Sequence, residues 1–111
     1  MSWTAYEFGS TIGKPGSEFG VIVCDDEHRL GARITLERDC ASAPWTITCG
    51  MYGWFFHTRF LNEEEAVRDF PRMKDAIDRI FAQVPDKGDV EAESKFAPVY
   101  AAINQFVTDF P

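Results

Sequence analysis

The stretch that most limits what this chain can fold into is residues 45–61, WTITCGMYGWFFHTRFL, the most apolar and aromatic run, placed near the middle. Trp45, Ile47, Cys49 and Met51 alternate with Thr46, Thr48 and Gly50, the period of two of a strand with one apolar face. β-branched and aromatic residues suit such a pleated, half-buried surface. Tyr52-Gly53 interrupts the alternation, and a glycine there can take a positive φ. Beyond it Trp54, Phe56, Thr58 and Phe60 share one side, while Phe55, His57, Arg59 and Leu61 share the other. The pattern predicts an antiparallel hairpin turning near residues 50–53; one long strand bulged at Gly50 or Gly53 is the competing reading.

The residues upstream supply strands to pair with this hairpin. Residues 1–18 are an irregular segment with a short strand within residues 3–8 and a loop over residues 9–17. The loop holds GSTIGK, but a phosphate-binding loop needs four residues between its glycines and a helix after its lysine; here there are three, and Pro15 follows Lys14. Residues 19–24 (FGVIVC) form a β-branched strand, and the acidic residues 25–28 form a turn. Residues 29–37 form a second strand, with Leu30, Ala32, Ile34 and Leu36 inward and Arg33, Thr35 and Glu37 outward. Residues 38–44 are a loop, and Pro44 marks the start of the central strand.

Downstream the period changes to that of helices. Asn62 is an N-cap with Glu65 completing a capping box, and residues 63–65 place negative charge at the positive helix end. Ala66, Phe70, Met73, Ile77, Ile80 and Val84 recur at threes and fours, with Val67 and Phe81 beside them. Pro71 removes one backbone bond inside this helix, and the unbroken apolar phase favours a kink over a break. A second helix covers residues 94–109, capped by Ser94, with Phe96, Val99, Tyr100, Ile103, Phe106 and Val107 on one side and Phe110 just beyond. Pro98 falls in its first turn, where an amide has no helical partner to lose.

Strands first and helices last predict an α+β fold: an antiparallel meander of about four strands, with two helices packed on one face. One domain is expected over residues 1–111, with residues 19–61 as the sheet and 62–111 as the helical layer. A chain this long buries roughly two-thirds of its unfolded surface, enough for a core without disulfides or metal. The three cysteines cannot all pair with one another. No leader opens the sequence and no apolar run reaches the ~18 residues of a membrane span, so a cytoplasmic protein with reduced thiols is expected.

Charge narrows the function classes. Eighteen acidic against eleven basic residues give −7, which argues against a nucleic-acid partner and against docking on an anionic membrane. The one concentration of polar groups is the open sheet face, expected to carry Arg33, Thr35, Glu37, Thr46, Thr48, Phe55, His57 and Arg59. Arg33, Glu37, His57 and Arg59 are the candidate ligand-binding residues: two guanidiniums to clamp an anion, and an imidazole that titrates near neutrality. Cross-strand charge pairing on a solvated sheet is the plainer account of the same residues. Cys40 or Cys49 with His57 as base would make a nucleophile on residue type alone, and no metal-ligand spacing joins the cysteines and histidines, so neither a catalytic residue nor a cofactor is assigned.

The sequence therefore leads to a non-catalytic protein-interaction or binding module, its partner unidentified and its own second copy one candidate, in a homodimer. A sharper version is an immunity or antitoxin-like inhibitor that meets a basic partner with residues 25–27. The alternative is a small-ligand site or enzyme on the sheet face around Arg33, His57 and Arg59. A surplus of aromatic residues, ten Phe and three Trp, suits a groove or an interface, including that of a subunit in a larger assembly.

Overall fold

The computed structural model describes residues 2–111. Five strands follow in chain order: β1 (Trp3–Ala5), β2 (Val21–His28), β3 (Ala32–Arg38), β4 (Trp45–Met51) and β5 (Phe55–Leu61). Each pairs antiparallel with the next, so sheet order is chain order, and the helices α1 (Glu63–Phe81) and α2 (Phe96–Asp109) come after. This is the expected α+β meander with one more strand, supplied by Trp3–Ala5 pairing with the far end of β2.

The central stretch forms an antiparallel hairpin, with its connection at residues 52–54 rather than 50–53. Met51 stands opposite Phe55, and Gly53 takes φ 82° in the connection between them. One turn lies elsewhere than expected. Residues 25–28 are strand, and the chain reverses at residues 29–31, where Gly31 (φ 110°) donates its amide to the His28 carbonyl at 3.0 Å. Acidic runs read as turns because their side chains compete for nearby amides. Here Asp25 bonds Arg33 on β3 and Asp26 bonds Lys74 on α1, so the strand continues.

Helix α1 starts on the capping box: Asn62 Oδ1 accepts from the Glu65 amide at 2.8 Å and Glu65 Oε1 from the Asn62 amide at 3.0 Å. It runs through Pro71 without breaking. The carbonyl that Pro71 leaves unbonded is that of Val67, an exposed residue, where water can serve. Ser94 is not a cap: its hydroxyl donates to the Glu91 carbonyl within a 3₁₀ turn (Ala92–Lys95) that precedes α2.

The core lies between the helices and one face of the sheet. Ala32, Ile34, Leu36, Ile47, Cys49, Met51 and Leu61 meet Ala66, Phe70, Met73, Ile77, Ile80 and Phe81 of α1, and Val99, Ile103 and Phe106 of α2. Leu30, expected among the inward residues, stands exposed in the turn. No helix among the described residues is long and apolar enough to cross a membrane.

The second face is not left wet. Residues 6–20 fold back across it as a strap, tied by Gly13 to the Ile22 carbonyl (2.9 Å), Ile22 to the Lys14 carbonyl (3.0 Å) and Ala41 to the Glu18 carbonyl (3.1 Å). A bulge between Ile22 and Cys24 puts Ile22 on this strap side, opposite Glu37, and Cys24 on the helix side, opposite Leu36.

Candidate functional site

The four candidate residues do not share a face. Arg33 and Glu37 point to the strap side, as expected, but His57 and Arg59 point to the helices together with Phe55. The reason is the parity of the hairpin connection. Three residues separate Met51 from Phe55, so Cys49 pairs with His57 and Ile47 with Arg59. Side chains directly opposite lie on the same face, and the face holding Ile47 and Cys49 is the core. Phe56, Thr58 and Phe60 take the places on the strap side that had been expected for Phe55, His57 and Arg59.

On the helix side both polar groups serve the fold. Arg59 is 5% exposed, and its Nη1 donates to Asp69 of α1 at 2.9 Å while its Nε donates to the Pro111 carbonyl at 3.0 Å. Arg68 and Arg72 also bond Asp69. The hydrogen bond from Arg68 comes first among the causes that hold the Asp69 carboxyl at about 2, with Arg59 adding to it against the opposing effect of burial. His57 donates Nε2–H to the Phe110 carbonyl at 2.6 Å, fastening the residues after α2 to β5.

On the strap side the parts form a cleft of about 610 Å³ between residues 6–17 and the sheet. Glu37 holds the strap down. It is fully buried, and its Oε1 accepts from the amides of Glu18 and Gly20, both at 3.2 Å. The strap comes so close that a Cβ on Gly16 would overlap the Glu37 carboxyl group, so any side chain there must displace Glu37. The candidate Glu37 is thus a latch on its own chain, with its carboxylate turned to backbone amides.

Arg33 forms part of the cleft wall. Its Nε and Nη2 grip Asp25 at 2.8 and 2.7 Å, and its guanidinium lies over the Tyr6 ring, 3.7 Å from the centroid. Burial works to raise the Asp25 carboxyl, but the bonds from Arg33, Thr11 (2.7 Å) and Thr35 (3.0 Å) outweigh it and hold the group below the usual carboxylate range. Tyr6 begins a tight turn (Tyr6–Gly9) in which Glu7 and Phe8 take positive φ, 47° and 59°. This strained reversal aims Tyr6 at Arg33. Tyr52 and Phe56 add aromatic surface, and Gly50 lies under the Phe56 ring. Thr48 also lines the cleft, and its buried hydroxyl has no hydrogen-bond partner.

The remaining reactive side chains are occupied or shielded. Burial pushes the Cys49 thiol up to about 12, with His57 beside it committed to Phe110. Burial also raises the half-buried Cys40 thiol, which contacts Thr46 at 3.3 Å, across the sheet from His57. His28, read in the sequence as a turn residue, is buried and stacked on Phe81. Its Nδ1 accepts from the Leu30 amide at 3.1 Å, which fixes the proton on Nε2, donated to Asp78 at 2.7 Å. Both ring nitrogens are therefore used. Among the described residues no three of His, Cys, Asp and Glu converge as a metal-holding group.

The cleft was half legible. Arg33, Thr35 and Thr48 lie on the face that the alternation gives them; Tyr6 and Lys14 come from a loop of small residues that gives no sign of where it returns, and Phe56 depends on the parity of the hairpin connection. Comparison with family models, with curated proteins and with solved structures finds no match to this chain.

Proposed function

We propose that this is a non-catalytic binding protein that receives a small molecule in the cleft between the strap and the sheet. The observation that carries this reading is the cleft itself, about 610 Å³, with the rings of Tyr6, Tyr52 and Phe56 in its wall and Arg33 and Lys14 as its cations. The size of the cleft and its mix of aromatic rings with few polar groups are ordinary for a ligand site.

The test is titration of the native protein with the neutral apolar dye Nile red. Saturable fluorescence is expected, and it should vanish in Thr48→Phe, whose ring would occupy the cleft, while circular dichroism stays unchanged. A native protein that does not bind the dye, or binding that survives Thr48→Phe, counts against the reading.

One observation favours a second reading, self-association of the sheet. Phe56 and Phe60 are 76% and 55% exposed on β5, which is an edge strand. Light scattering over a concentration series would then report a dimer that Phe60→Ser dissolves; a monomer throughout would end it. An inhibitor that meets a basic partner with residues 25–27 would present them from β2, where Asp25 and Asp26 are bonded to Arg33 and Lys74 and Glu27 accepts from Tyr52.

A further inference from the structure

Resting on the cleft-binding reading, we infer the class of ligand: a small amphipathic monocarboxylate, with a flat apolar body and a single anionic head. The argument begins with charge. In a chain of eighteen acidic and eleven basic residues, the cleft is lined by Lys14 and Arg33 and by no Asp or Glu. Of the carboxylates on this side of the sheet, Glu27 accepts from the Tyr52 hydroxyl at 3.3 Å, and the other two are spent. Asp25 is taken by Arg33, Thr11 and Thr35, and Glu37 by the amides of Glu18 and Gly20.

The two cations differ in what they can give. Arg33 is neutralised by Asp25 through Nε and Nη2, which leaves Nη1 as a donor in a plane fixed by the Tyr6 ring. Lys14 is exposed and enters no ion pair among the described residues. One uncompensated charge and one planar donor match a carboxylate, which is planar and singly charged. A polyphosphate would ask for more cations than the cleft holds.

The rest of the wall selects the body of the ligand. Tyr6, Tyr52 and Phe56 offer ring surface, with Ile22 beside them. Rings pack best on flat apolar groups, offset or edge to face.

Calorimetric titration at low salt separates the possibilities, using three probes of one shape: 2-naphthoate, 2-naphthamide and 2-naphthylmethylammonium. The carboxylate should bind about fivefold tighter than the amide, the scale of one partly exposed ion pair, and the ammonium most weakly. Lys14→Gln should bring the carboxylate to the level of the amide and leave the amide unchanged. Equal binding of amide and carboxylate, tighter binding of the ammonium, or a Lys14→Gln effect that is the same on both overturns the anionic ligand while cleft binding stands. Failure of all three probes also overturns it, and the Nile red titration then decides the cleft-binding reading separately.

Discussion

Single residues carry opposite signs in this protein, and Thr48 and Asp69 show it. Replacing Thr48 by Val keeps the shape and removes a buried hydroxyl that bonds nothing. Urea unfolding should report a gain of about 1 kcal/mol in Thr48→Val. Asp69 is the reverse case. Asp69→Asn would leave Arg59 buried without its counter-charge, and a loss of about 3 kcal/mol is expected by the same measurement. Its pH dependence follows from its position. The folded carboxyl, at about 2, lies below the ordinary 3.8, so its contribution is complete above 3.8 and is lost as pH falls through 2. Acid titration by circular dichroism should show wild-type stability falling in that window, with a smaller fall in Asp69→Asn. An acid at the Asp69 position, inside the apolar stripe between Ala66 and Phe70, is a visible signal in the sequence that a buried cation must face it. That cation is Arg59, which the three-residue hairpin connection turns to the core face, opposite to the face expected from alternation.

Elements were read well where the cause is local and poorly where it is not. The capping box at Asn62, the helical stripe of α1 and the alternation of β4 are set by neighbours within a few positions, and each formed as expected. The face of β5 depends on whether the hairpin connection has an even or odd number of residues, which composition does not reveal. The reach of β2 through residues 25–28 depends on Arg33 and Lys74, which lie far along the chain. Pro71 gives a prediction at this scale. Because α1 passes through it unbroken, Pro71→Ala should restore one amide without moving any packed residue. A gain of about 2 kcal/mol in thermal or urea unfolding is expected, part of the ~3 kcal/mol that separates proline from alanine within a helix. A loss would mean that the helix path needs the proline.

At the scale of the whole molecule the sheet carries two unlike covers. The helices bring the apolar side chains of the core; the strap brings none to that cluster and is held by Glu37 and backbone bonds. Segments with few buried apolar contacts open before the global transition. Hydrogen exchange should therefore find the amides of Glu18 and Gly20 opening at lower free energy than those of β3 and β4. Gly16→Ala, which drives a methyl into Glu37, should lower the barrier for the strap alone and leave exchange in β4 unchanged. Uniform exchange across both layers would show that the strap belongs to the cooperative core. The bulge at Val23 joins the two covers in a particular way, since it gives β2 two reading frames. Ile22 and Cys24 have the same parity in the sequence, yet the first is read toward the cleft and the second toward the core. The phase of Cys24, Asp26 and His28 is set by their pairing with β3, so a residue gained or lost ahead of Val23 alters the strap and not the core. An insertion or deletion there would thus redraft the surface under the strap, while the text of the hydrophobic interior stays in frame.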